Sequence, residues 1–419
     1  MTQEPESTQV KLNENHSNDS VKSFHDTLES ACAHPETFQD RIIPIVEKHP
    51  AECIPMLIDI FGSPNTQGKK LVAELFKTRL RETCDKYLIP QLEKANPEKF
   101  QWAAQILSEM GNSTAIPLLI NSLASRDTTI TLSALKALTT FNREDALNAA
   151  TDFFVRITDS IILASTVKIL AANSQEIAPR LLSRYTDLTK DKKAWILKYL
   201  VEARSQEAFA TFKAALEKDP LDLGLFGIRG LGKIGNLEAV AVLSKAKNHD
   251  EWFLRKRIIE ALGECRCAEA VPPIIEALMD SSVQVRASAI ESLSKVGKMD
   301  IFALIKAFEN APHDKKIGLI RAMAQIKAKE FLKPLMKSLS DRSTLFFGID
   351  ALGDLGFPEA GPMLQPLLKD EEWFNRMNAL EALAKLEVPN LLQIAESCLQ
   401  DANDMVRNSA ARIISKSGD

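Results

Sequence analysis

A leucine-type position recurs every 29 to 32 residues along most of this 419-residue chain: Leu75, Leu107, Leu138, Leu170, Leu200, Leu231, Leu262, Leu293, Met323, Leu352, Leu383 and Ile414. Each member falls late in an amphipathic helical stretch, and a second such stretch follows, as in Arg257–Gly263 and then Ala270–Leu278. A fixed period of this length is the mark of a repeat array. One helical pair is too small to bury its own apolar face, so successive pairs must stack. The period predicts an all-α fold: an α-solenoid, a superhelix of about eleven to thirteen stacked antiparallel helix pairs. Sustained period-two alternation, the sign of a half-buried strand, is missing from the sequence. The functional expectation is a long, curved binding surface in place of an enclosed catalytic pocket.

The repeat also sets the domain boundaries. Residues 1–22 are rich in Glu, Ser, Asn and Gln and are predicted to be a disordered tail, because they cannot bury enough surface to offset chain entropy. Residues 23–95 hold helical pairs of irregular spacing, as expected of a capping region with one polar outer face. From residue 96 to 419 the array is regular, at about 31 residues per unit. An Asp opens most units, placed to accept from free backbone N–H groups at a helix start. Gly111, Gly235, Gly297 and Gly356 end first helices, where a left-handed C′ residue is favoured. Pro117, Pro179, Pro272, Pro334 and Pro362 sit near the first turn of second helices, where a missing N–H costs little.

Several quotable segments carry a resemblance at this point. Asp280-Ser-Ser-Val-Gln-Val-Arg286-Ala-Ser-Ala, Asp401-Ala-Asn-Asp-Met-Val-Arg407-Asn-Ser-Ala, and the endings Leu262-Gly263 and Leu352-Gly353 resemble the HEAT repeat family, in particular its short bacterial type. The likeness covers residues 96–419 and, more loosely, 35–95. It implies inter-repeat bonding by Arg255, Arg286, Arg376 and Arg407. Thr131, Leu163 and Gly224 stand where the family pattern has Arg, so no Asp–Arg bond is expected there. The short bacterial type is similar to phycobilin lyase subunits, which act on tetrapyrrole-bearing proteins, and HEAT-like folds also occur in DNA glycosylases. The family further includes iron-binding hydroxylases with His-Glu pairs. None of His16, His25, His34, His49, His249 and His313 precedes or follows a Glu.

Other signals argue against particular chemistries. The formal charge of −4 lacks the basic footprint of a dedicated nucleic-acid binder. The first residues, MTQEPESTQVKLNENHSNDS, have neither a basic start nor an apolar core, and no stretch approaches the roughly 18 apolar residues of a membrane span. A cytoplasmic protein without membrane insertion is expected. Its six cysteines read as reduced packing residues, and Cys265 and Cys267 alone make a poor zinc site. Gly230-Leu-Gly232-Lys-Ile-Gly235 matches the G-x-G-x-x-G dinucleotide fingerprint, and a near P-loop overlaps it. Both motifs need a strand before the glycines and a helix after. Here a helix precedes, so the glycines read as a helix end. No catalytic residue, metal or cofactor is assigned.

The binding signal lies on the second helices. A position held by Asn121, Ser183, Lys213, Lys245, Glu276, Lys306 and Lys337 recurs once per unit and should point away from the core. In HEAT-like solenoids the second helices line the concave face, so the resemblance implies a ladder of lysines there. Such a ladder would attract an acidic segment of a protein partner. Trp252 and Trp373, in the matching sequences Asp250-Glu-Trp-Phe253 and Glu371-Glu-Trp-Phe374, are either packing residues between repeats or binding anchors. Packing is the expectation for both. The function expected is a non-catalytic scaffold or adaptor for protein–protein interaction, with the chromophore lyase and nucleic-acid roles as alternatives.

Overall fold

The computed structural model describes residues 24–94, 96–172 and 174–417, and the predicted tail of residues 1–22 lies outside them. The described residues form helices joined by short turns, with no strand among them. They gather into two compact units, 1–203 and 204–419. In both units every member of the leucine series from Leu75 to Leu383 has 0% exposure, and Ile414 is half-buried. The periodic position therefore lies in the core of each repeat, where a large apolar side chain fills the space between helices.

In the first unit, the helices Pro97–Glu109, Thr128–Phe141 and Ser160–Ala171 each pair with a second helix, Ile116–Ser122, Glu144–Arg156 and Ser174–Arg184. The starts are capped as expected. Asn96 Oδ1 accepts from Lys99 N at 3.0 Å, Asp127 Oδ1 from Thr129 N at 2.8 Å, and Asp159 Oδ1 from Ile161 N at 2.8 Å. Pro179 departs from expectation, since it lies inside Ser174–Arg184 and not at its start.

In the second unit the first helices are Leu223–Ile234, Trp252–Cys265, Val283–Val296, His313–Ile326, Arg342–Leu355, Trp373–Lys385 and Asp404–Ser417. The second helix Phe209–Lys218 precedes them, and short second helices separate them, among them Leu237–Ala246, Val271–Glu276, Ile301–Asn310 and Leu332–Lys337. Small residues let successive first helices approach closely. A Cβ on Gly263 would lie 2.7 Å from Ser292 Cβ, and Ser292 Oγ donates to the Ile259 carbonyl at 3.1 Å.

Two local expectations are corrected here. Asp280, Asp370 and Asp401 stand two residues before the helix cap, and each accepts one N–H of the entering turn, from Ser282, Glu372 and Asn403. Gly297 is right-handed, with φ −61°. Space explains it instead, because a Cβ would fall 2.3 Å from Ile326 Cδ1. Gly111, Gly235 and Gly356 do take positive φ, but so do Asn142, Arg266 and Lys327 at equivalent helix ends.

Candidate protein-binding groove

The turn edge of the second unit is built around the arginine position. Arg255 Nε and Nη2 donate to Asp280 Oδ2 and Oδ1 at 2.7 and 2.8 Å. Arg376 does the same to Asp401, at 2.8 and 2.7 Å. These forks join one repeat to the next and hold the Asp280 and Asp401 carboxyls below the usual carboxylate range. The inter-repeat expectation fails for Arg286, which bonds the Asp280 and Ser281 carbonyls of its own turn and has Ala311 twenty-five residues on, the Arg–Asp separation at the other two. Arg407 bonds the Asp401 carbonyl and the Asp404 carboxylate of its own turn. A bond that sequence reasoning missed unites the series. In Arg255, Arg286, Arg376 and Arg407, Nη1 donates to the carbonyl six residues back, and buried Thr131 and Thr344 do so with Oγ1. Where the position holds Leu163, the carbonyl six back, Ile157, accepts from Lys192 of the next repeat instead.

Every residue of the second-helix series is exposed: Asn121, Ser183, Lys213, Lys245, Glu276, Lys306 and Lys337. Their electrostatic surroundings differ. Lys247 Nζ lies 2.9 Å from a Glu276 carboxylate oxygen, and Lys337 Nζ lies 3.5 Å from Glu309. Lys213, Lys245 and Lys306 have no ion pair among the described residues. The flanking basic stretch is partly engaged elsewhere, with Arg321 over the Phe347 ring at 5.2 Å and Lys329 paired to Glu359 at 2.7 Å.

Two of the unpaired lysines share a cavity. Between Phe209–Lys218 and Leu237–Ala246 lies a groove of about 790 Å³ whose rim carries Lys213, Glu217, Lys245 and His249. Its floor includes Leu216, Val242, Leu254 and Ile258. Leu254 and Ile258 come from the following first helix and are fully buried. Charge at the rim over an apolar floor is the usual build of a recognition site, in which polar groups orient and apolar surface supplies affinity. No Phe, Tyr or Trp lines it.

The tryptophan expectation is overturned. Trp252 is 44% exposed and Trp373 38% exposed, and each ring's aromatic neighbour is the next residue, Phe253 or Phe374, edge-on at 6.3 and 6.0 Å. Both are the first residue of a helix, where the Cα–Cβ bond tilts toward the N-terminus and carries the side chain past the stack. Sequence reasoning also missed Phe302, 84% exposed on Ile301–Asn310 and one turn before Lys306. Its signal was its offset from the Leu304/Phe308 stripe.

The nucleotide-like glycines behave as a helix. Gly230 and Gly232 lie inside Leu223–Ile234, Gly235 ends it at φ +64°, and a Cβ on Gly230 would strike the Phe212 ring at 2.5 Å. A side chain there would have to move the Phe212 ring of the neighbouring helix. Burial pushes the Cys265 thiol up to about 12 and the Cys84 thiol to about 11, so neither is a ready nucleophile. Among the described residues no group of three or more His, Cys, Asp or Glu side chains converges as a metal site would require. No helix among them is long and apolar enough to cross a membrane.

Comparison with known proteins fits this architecture. Residues 243–314 and 347–415, both in the second unit, match the family model for HEAT repeats. A 100-residue stretch is 31% identical to deoxyhypusine hydroxylase of Homo sapiens, covering 23% of this chain and 32% of that protein. The Mus musculus protein of that name is 30% identical over 113 residues, covering 26% of this chain and 36% of that one. The matched stretches thus span about a third of those relatives. Among the described residues no group of His, Cys, Asp and Glu side chains fits the iron expected of HEAT-type hydroxylases. Among solved structures, importin beta is similar with a TM-score of 0.45 and 10% identity, over 98% of this chain and 71% of that one. The chain folds as an all-α solenoid whose residues 243–314 and 347–415 match the model for HEAT repeats.

Proposed function

We propose that this protein is a non-catalytic scaffold of the cytoplasm that holds a protein partner along its second helices, with an acidic segment of the partner in the Lys213–Lys245 groove. The observation that carries this reading is the pairing of two lysines without internal counter-ions over an apolar floor. An acidic, amphipathic segment would satisfy both, its carboxylates meeting the ammonium groups while its apolar side chains cover the half-buried Pro220 and Val242. Exposed Lys306 and Phe302 extend the surface toward the next repeats, and Trp252 and Trp373 offer anchors on the turn edge. An extruded base gains affinity by stacking on an aromatic face, which the groove lining lacks; this favours a protein ligand over the nucleic-acid role.

The test compares partners retained by the wild-type chain with those retained by Lys213→Glu/Lys245→Glu, each identified by mass spectrometry and then titrated directly. A partner bound by the wild type, weakened at least tenfold by the double variant and weakened by added salt is the expected result. Equal retention by both proteins would rule out the groove as the working surface.

A further inference from the structure

The arginine–aspartate ladder on the turn edge of the second unit has one open rung. Arg255 and Arg376 each grip, with Nε and Nη2, the aspartate that follows by twenty-five residues. Arg286 occupies the same position, and its Nη1 donates to the Asp280 and Ser281 carbonyls at 2.7 and 3.1 Å, as Nη1 of Arg255 does to His249 and Asp250. Those bonds orient its guanidinium as they orient the other two. The residue at the matching distance is Ala311. Its backbone reproduces that of Asp280: it follows a second helix, has φ −80° and ψ 145° against −59° and 144°, and donates its N–H to the carbonyl three residues earlier. Only the carboxylate is lacking. Among the described residues no acidic group pairs with the half-buried Arg286 side chain. Beside it, Val283 is 64% exposed and Met279 48% exposed.

A guanidinium held in place with one edge unsatisfied matches a planar carboxylate through two parallel hydrogen bonds. We propose that Arg286 Nε and Nη2 are a docking point for an aspartate or glutamate side chain of a protein partner, seated against Val283 and Met279. A carboxylate is favoured over other anions because the two equivalent arginines hold carboxylates in this geometry. The site stands apart from the Lys213–Lys245 groove, so either can fail without the other.

The experiment follows the arginine Nε–Hε NMR signals of the full ¹⁵N-labelled chain as the peptide Ac-Leu-Asp-Leu-NH2 is added, with Ac-Leu-Asn-Leu-NH2 as control. Arg286→Lys identifies the signal. We expect it to move with the aspartyl peptide and to respond at least about tenfold more weakly to the asparaginyl one. Ala311→Asp closes the rung from within, so it should abolish the response and raise the melting temperature by about 2 °C. Lys213→Glu/Lys245→Glu should leave the response in place. The proposal is overturned if the Arg286 signal ignores the aspartyl peptide or moves equally with both. It also falls if Ala311→Asp leaves the response intact, or if inorganic phosphate competes more tightly than the peptide.

Discussion

Asp127 and Asp159 in the first unit cap their helices, whereas Asp280 and Asp401 in the second stand two residues before the cap, and the two pairs do different things. The first pair use one carboxylate oxygen for two backbone N–H groups each, of Thr129 and Ile130 and of Ile161 and Ile162. The second pair accept a single backbone N–H and turn both oxygens to an arginine of the preceding repeat. Twenty-five positions before the second pair stand Arg255 and Arg376, and twenty-five before the first pair stand Trp102 and Ala134. Asp341 belongs to the second unit but has Lys316 at that distance, and its carboxylate accepts from the Ser343 N–H and hydroxyl. An aspartate at the helix start serves as a cap, and one two residues earlier serves as a rivet for an arginine of the preceding repeat, as Asp370 also does for Arg342. The first unit joins its repeats by more exposed pairs, such as Lys69 to Glu98 and Lys77 to Glu109, at 2.9 and 3.0 Å.

The largest effects should ignore this difference. Leu138→Ala and Leu262→Ala each remove a fully buried side chain, and both should destabilise their unit by about 2–5 kcal/mol. Hydrogen exchange read peptide by peptide would check each unit separately. A much smaller effect in either unit would mean that the leucine series is not equally central to both.

Breaking a rivet should separate the units. Arg376→Ala leaves the Asp401 carboxylate, whose side chain is 12% exposed, without its fork and should cost about 2–3 kcal/mol. Lys69→Ala, facing an exposed glutamate, should cost under about 1 kcal/mol. Chemical denaturation of the variants gives both values. Acid sharpens the contrast. The hydrogen bond from Arg376 depresses the folded Asp401 pKa, so the stability it supplies is fully present above the ordinary value of 3.8 and is lost as pH falls through the lower, folded value. The penalty of Arg376→Ala should therefore be constant from pH 7 to about pH 5 and shrink below about pH 4.

The smallest effect is a gain. Lys327 and Arg266 end first helices at φ 56° and 50°, a conformation that costs side-chain-bearing residues about 1 kcal/mol. Lys327→Gly and Arg266→Gly should each raise stability by up to about 1 kcal/mol, while Asn142→Gly in the first unit should gain less, because Asn tolerates the left-handed region. Melting temperatures of the three variants would rank them.

The sequence made legible whatever repeats once per unit. The leucine series was readable because each member meets the same requirement of complete burial, and the second-helix series because the side opposite the core is solvent in every pair. Arg–Asp joints were readable only as far as the resemblance reached, and whether a joint closes depended on one residue, Asp401 or Ala311, in the next repeat. Exposure of Trp252 and Trp373 was not legible, since an aromatic at a helix start reads as core by composition and as rim only once the helix boundary is known. The groove floor escaped notice for a different reason: Leu254 and Ile258 belong to a first helix, and their partial role beneath Lys213 and Lys245 depends on the spacing between repeats. Arg266 and Lys327 carry no left-handed signal of their own, because tertiary packing holds them where glycine would be expected.

The bond from the arginine or threonine position to the carbonyl six residues back has a consequence for how such a chain can change length. Its donor and acceptor lie within one loop, so a unit excised or duplicated between two such loops carries its own hinge intact. Residues 370–400 begin with that hinge and end just before the aspartate that receives its arginine. Residues 250–280 end at the aspartate that receives Arg255 and start just after the His249 carbonyl, a place the Asp280 carbonyl of a copy would take. A copy of either inserted before its original would regenerate both junctions without any new side chain. Growth by tandem duplication would therefore meet no barrier at the joints, and the number of units could drift while the geometry of each joint stayed fixed.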